Sequence, residues 1–282
     1  MTNRSAVLLS GVCFALCLIV GRVEVAHAGA ADLHARTVAG FDRYVRLTEA
    51  RMDEEVGGRR PFLWVDGLSE SRRADAYEKV RRGEIVVSRL DTRDGGRPIE
   101  VPDGLCHHWV GTVFTPRASL DRVVALMQSY QRYQNIYRPA VRRSTILSRE
   151  GDRFNVYLQL FMKKVISVVL NTENDVRYMT IGPERVHVRS YSTRIAEVTD
   201  PDSAQEREKP VGHDNGFLWR FNNYCSLENR SEGTYVQCES VSLSRSIPIG
   251  LGWLVGPFVN SIPRESLEFT LGMIRTAVGG QP

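Results

Sequence analysis

The side chains with the widest chemical repertoire here are six histidines and five cysteines, and three of them are adjacent at Cys106-His107-His108. A zinc-type site needs three or four ligands converging on one point. Neighbouring strand residues point to opposite faces, so only Cys106 and His108 of this trio can share a ligand. His187 and His213 lie far off in sequence, and neither H-E-x-x-H nor C-x-x-C occurs. The expectation is no metal and no cofactor. Nucleophilic catalysis has little more to work with: G-x-S-x-G is absent, and a Cys106–His108 pair lacks a third group to orient it. Gly250-Leu251-Gly252 with Gly256 has the glycines of a dinucleotide loop but not its spacing, nor a strand-helix-strand unit around it. His108, His187, Tyr191 and Glu239 are the groups that acid–base chemistry could use if a pocket held them. No catalytic residue is assigned.

Cys225 and Cys238 are equidistant from a polar turn centred near Ser231 and Glu232. In a plain two-stranded ladder they face each other at a separation that a disulfide can bridge with slight adjustment. Two buried thiols side by side are one alternative, and a bulge in the turn, which would send the pair to opposite faces, is another. The redox compartment bears on this. Arg4 precedes the apolar run Ala6 to Val20, and Ala26-His27-Ala28 has the small residues of a signal-peptidase site. Residues 1–28 therefore read as a signal peptide cleaved near Ala28. The run is shorter than the roughly 20 residues of a membrane span, although an uncleaved anchor stays open. Export to a bacterial periplasm is expected, where a disulfide can persist.

The elements that must position these groups follow from the pattern of apolar residues. The chain has 282 residues, 42% hydrophobic and 25% charged, which is the composition of a folded globular protein and long enough for a sizeable core. Its net charge of +4 is spread along the chain without a basic stripe, so nucleic acid is not an expected partner. Val38, Phe41, Val45, Met52 and Val56 recur at helical spacing until Gly57-Gly58. A second helix is expected from Ser69 to Arg82, a strand from Glu84 to Leu90, and a loop over 91–104. That divides the mature chain into an N-terminal helical extension, 29–104, and a main domain, 105–282. There the period becomes two. Strands are expected at 105–114, 141–148, 153–162, 164–172, 176–181, 186–197, 216–227 and 234–245, with turn residues between them. A helix spans Ser119 to Tyr130, and a last one spans Pro263 to Val278 with Leu267, Leu271, Ile274 and Val278 on one face. The stretch 247–259 is strongly apolar but carries three glycines and two prolines, which reads as an irregular buried connection or a lip over a cavity.

This order predicts an α+β fold: a curved antiparallel sheet wrapped around a long C-terminal helix. From about Leu105 to Val278 the chain resembles the START-like, polyketide-cyclase (SRPBCC) superfamily with its helix-grip (Bet v 1-like) fold. The resemblance rests on Val113-Phe114-Thr115-Pro116 leading into the Leu120 to Met127 helix. It rests also on Tyr130-Gln131-Arg132-Tyr133 running to Tyr137-Arg138-Pro139, and on Ile262-Pro263-Arg264-Glu265-Ser266-Leu267 opening the last helix. It implies a binding protein for a lipid or other hydrophobic small molecule, or alternatively a cyclase- or hydrolase-like enzyme acting on such a substrate.

A gripping sheet is expected to have one buried and one exposed face, which places Trp219 and Phe221 inward with Cys225 and Leu227. The candidate ligand-contact residues are Tyr133, Tyr157, Phe161, Tyr191, Trp219, Phe221, Trp253, Phe258 and Leu271. Trp253 and Phe258 could also make transient membrane contact. Arg189, Tyr191 and Glu239 are polar groups that could orient a ligand, their facing undecided by the pattern.

Overall fold

The computed structural model describes residues 31–163, 167–247 and 252–280, the segment 252–260 as backbone alone. Helix α1 (Ala35–Val56) buries Thr37, Phe41, Tyr44, Thr48 and Met52. The stripe is rotated from the one read off hydrophobicity, because Thr37, Tyr44 and Thr48 find hydrogen-bond partners and can be buried. Thr37 Oγ1 donates to the Pro102 carbonyl at 2.7 Å, and Thr48 Oγ1 lies 2.7 Å from Thr92 Oγ1. After α2 (Glu70–Arg81), strand β1 (Val86–Arg89) carries the extension into the main sheet.

The sheet continues with β2 (Gly104–Pro116), then helices α3 (Leu120–Gln128) and α4 (Tyr133–Ile136). The strands β3 (Val141–Glu150), β4 (Arg153–Lys163), β5 (Ser167–Gly182), β6 (Arg185–Thr199), β7 (Arg220–Arg230) and β8 (Gly233–Arg245) follow, and α5 (Gly252–Gly279) closes the chain. The spatial order is β1-β2-β8-β7-β6-β5-β4-β3, antiparallel throughout, with the two-residue strand Arg207–Glu208 beside β6. Two expectations are corrected. The break expected between the strands 164–172 and 176–181 is absent, since β5 runs unbroken through Asn174-Asp175; residues 164–166 lie outside the described residues. And 252–259 belongs to α5, so Gly256, Pro257 and Pro263 all lie within a helix.

Val113 on β2 and Phe154 on β4 belong to one core cluster with Leu267, Leu271, Ile274 and Val278 of α5. Those strands stand five places apart, about 24 Å in a flat sheet, while a helix is about 10 to 12 Å across. The sheet must curve around α5 for both to touch the same core. This is the helix-grip arrangement. The outer face is not bare: Phe41, Tyr44 and Met52 of α1 pack there on Trp219, Tyr224, Val241 and Leu243. Phe62, Leu63 and Val65 cover Phe114 and Tyr235 beside them. Three layers result, extension, sheet and α5, and both sheet faces are largely buried. No helix among the described residues is long and apolar enough to cross a membrane.

Candidate functional site

Paired residues on neighbouring strands share a face, so the register reads the inner, α5-facing side row by row. The first two rows are Val113, Val236, Leu227 and Val186, then Gly111, Cys238, Cys225 and Val188. Cys225 and Cys238 are directly opposite, with Cα atoms 4.1 Å apart, and form a disulfide. Helix α5 fills this end. A Cβ on Gly111 would stand 2.7 Å from Leu271 Cδ1 and 3.3 Å from Leu267 Cδ2, so glycine there lets the helix seat against the strand.

The next two rows change character. Trp109, Ser240, Asn223 and Ser190 form one; His107, Ser242, Phe221 and Ser192 form the other. Asn174 extends the second onto β5. Ser240 and Ser242 are buried, while Trp109, Asn223, Ser190, Ser192 and Phe221 are half-buried. Three side chains have partners within this floor: Asn223 donates weakly to Cys225 Sγ at 3.6 Å, Ser192 Oγ accepts the Phe221 N–H at 2.9 Å, and His107 Nε2 lies 3.2 Å from Ser244 Oγ. The direction of α5 places the rows beneath its first half. Leu267 and Leu271 sit at Gly111, and Arg275 Nη1 donates to the Gly83 carbonyl at 3.2 Å, just before β1. Going back toward Gly252, the helix therefore runs along β2 toward Trp109 and His107. The sequence signal for this floor is serine at every second position of β8, Ser240, Ser242 and Ser244, which period-two hydrophobicity alone does not pick out.

The expected ligand-contact residues are divided between the two faces. Leu271 is fully buried at the packed end of the inner face. Tyr133 stacks in an aromatic cluster near Phe154 and Tyr178, with ring centroids 4.9 Å from Tyr130 and 4.7 Å from Tyr137. Phe221 is on the inner face beside Leu170 and Ile195. Four others are on the outer side. Tyr157 Oη donates to Asn171 Oδ1 at 2.8 Å, Arg142 stacks over Phe161, Tyr191 Oη donates to Glu49 of α1 at 2.7 Å, and Trp219 Nε1 donates to Asp214 at 3.0 Å. Trp219 precedes β7, so strand alternation does not govern it, and its ring packs with α1. The side chains of Trp253 and Phe258 lie outside the described residues.

All four acid–base candidates also face the extension. Thr92 N–H donates to Tyr44 Oη at 2.8 Å, which directs the Tyr44 hydroxyl proton to His108 Nδ1 at 2.9 Å. That leaves His108 Nε2–H donating to Glu239 Oε1 at 2.6 Å. Arg51 from α1 bridges Glu239 and Glu55. Burial pushes the Glu239 carboxyl up, but the His108 hydrogen bond and the Arg51 guanidinium outweigh it and hold the group below its ordinary range. Both ring nitrogens of His108 and the carboxylate of Glu239 are thus engaged. The network binds α1 to the sheet beside a cleft of about 450 Å³ that Arg51, Glu55, Trp64, Asp91 and His108 help to line. Cys106 is on the same side, its thiol pushed up to about 12 by burial. Among the described residues no three His, Cys, Asp or Glu side chains come together as a metal site.

Two histidines carry a pH dependence. Burial lowers His107 and His187 to about 4, helped in each case by an arginine, Arg89 or Arg189. His187 Nδ1 meets Ser226 Oγ at 3.1 Å and its Nε2 is buried without a partner. Each is neutral in the folded chain and takes a proton more readily when unfolded. Their contribution is complete above pH 6.5 and is lost as pH falls from 6.5 toward 4. Urea midpoints should therefore drop between pH 7 and pH 5 by an equivalent of about 3 to 4 kcal/mol, and His187→Gln should remove about half of that slope. An unchanged slope in the variant would contradict a neutral buried His187.

No family model and no curated protein matches the chain. Among solved structures it is similar to a STAR-related lipid transfer protein from Xanthomonas axonopodis, at 18% identity over 68% of this chain and 98% of that one, with a TM-score of 0.44. It is similar also to a START superfamily protein from Mycobacterium smegmatis, at 13% identity over 63% and 97% of the two chains, TM-score 0.38. A third likeness is to the Zhui aromatase/cyclase from Streptomyces, at 14% identity over 62% and 93%, TM-score 0.39.

Proposed function

We propose that this chain binds a hydrophobic small molecule or lipid between the first half of α5 and the inner face of the sheet. The observation that carries the reading is the change along that face from two apolar rows to two rows rich in serine, asparagine and histidine. A core filled by protein has no use for this pattern, because each unpaired hydroxyl or amide it buries costs about 1 to 3 kcal/mol. A chamber holding a ligand with an apolar body and polar atoms does. Binding is favoured over cyclase or hydrolase chemistry because His108, His187, Tyr191 and Glu239 lie on the other face, held by α1 or by neighbouring strands. Export belongs to the same proposal, supported by the Ala6 to Val20 run and Ala26-His27-Ala28. Native mass spectrometry of protein secreted by a bacterial host tests both parts. A chain starting at Gly29 with a bound apolar molecule, released into organic solvent, is expected. An unprocessed chain would remove the export claim, and a bare chain that also fails to bind added N-phenyl-1-naphthylamine would remove the binding claim.

A further inference from the structure

The charge inventory of the inner face says what kind of ligand the chamber takes. The floor itself is Trp109, Ser240, Asn223 and Ser190, then His107, Ser242, Phe221 and Ser192, with no acid, lysine or arginine among them. Glu197 shares this face on β6 and is buried, but its carboxylate is already taken. It accepts the N–H groups of Asn215 and Phe217 at 3.0 and 3.2 Å and pairs with Lys209 at 3.3 Å. The arginines of the same face are at its two edges and exposed: Arg89 on β1, in register with Trp109, and Arg149 on β3, stacked over Phe154. Residues 252–260, the start of α5, include no charged residue. What the floor offers is hydroxyls, a carboxamide, an indole and an imidazole.

A buried carboxylate or phosphate needs a cation or several donors aimed at it to offset several kcal/mol of desolvation. Apart from Arg89, exposed at the sheet edge beside Trp109, nothing of that kind stands on the floor. Hydroxyl, ester, ketone and amide groups need only single hydrogen bonds, which serine and asparagine both give and accept. His107 fits the same reading, since burial holds it at about 4 and therefore uncharged at neutral pH.

We propose that the ligand is an uncharged amphiphile whose hydroxyl, ester or carbonyl atoms meet Ser240, Asn223, Ser190 and Ser242, and that fatty-acid anions and anionic phospholipids are rejected. This rests on the binding reading above and adds the class of head group. It assigns specificity to Asn223 and Ser240 at the centre of the floor.

The test compares cis-parinaric acid with its methyl ester on the full chain at pH 7.5. The two share one fluorescent tail and differ in charge at the head. The ester is expected to bind at least tenfold more tightly. Asn223→Leu should weaken the ester about tenfold, the equivalent of one lost hydrogen bond. Equal or tighter binding of the acid would overturn the head-group claim, as would an Asn223→Leu variant that binds the ester like the parent. Failure of all three probes takes down the chamber itself. Binding of N-phenyl-1-naphthylamine with no discrimination between acid and ester takes down the head-group claim alone.

Discussion

Replacing Glu239 with leucine is expected to cost about 3 to 5 kcal/mol in urea unfolding, the range for breaking a buried ion pair by removing one partner. Glu239 is 2% exposed, and its carboxylate is the junction of the outer network. Without it the His108 Nε2–H loses its acceptor, and Arg51 keeps Glu55 alone. The penalty should fall mainly on the seat of α1, which Glu49 also ties to the sheet by accepting from Tyr191 and Tyr224. A second substitution separates a structural network from a sum of independent contacts. Glu239→Leu with His108→Leu should be less costly than the two single losses combined, because the double variant leaves no stranded donor. Additivity to within about 0.5 kcal/mol would contradict the network.

Leu271→Ala should cost about 2 to 5 kcal/mol, the range for a fully buried leucine whose site cannot collapse. Leu271 has no exposed surface and meets Gly111 with Leu267 and Val87 around it. It sits over the filled apolar rows and away from the polar floor. The loss should accordingly be the same in thermal melts with and without N-phenyl-1-naphthylamine. A ligand-dependent loss would instead make Leu271 a wall of the chamber.

The order of strands and the closing helix were readable because alternation, turn residues and helical spacing are local signals. The Cys225–Cys238 register was readable for the same reason, since a tight turn sets the pairing on both sides of it. Other features depended on partners that a sequence does not display. Asn174-Asp175 has turn chemistry, yet Asn174 Nδ2 donates to Thr172 Oγ1 at 3.0 Å and Asp175 pairs with Arg153 at 2.6 Å across the ladder, so the strand continues. Glycine and proline in 252–263 argued against a helix, but proline removes a donor without forbidding helical dihedrals. Trp219 is expected inward on the premise of one covered face, and α1 packs over it on the other. With α1 covering the outer face, aromatic content no longer distinguishes inside from outside. What marks the inner floor is the uncharged serine alternation of β8, against Gln237 and Glu239 on the strand's outer side.

That floor leads to one decisive substitution, Ser240→Phe, which puts a large ring where the ligand body is proposed to lie. Its melting temperature and its binding of N-phenyl-1-naphthylamine should be measured together. An open chamber predicts a melt within a few degrees of the parent and binding reduced at least tenfold, since the ring occupies empty space. A floor already filled by protein predicts overpacking, at a cost of about 1 to 3 kcal/mol or more. A strongly lowered melting temperature, or probe binding that survives the substitution intact, would contradict a ligand chamber between α5 and the sheet.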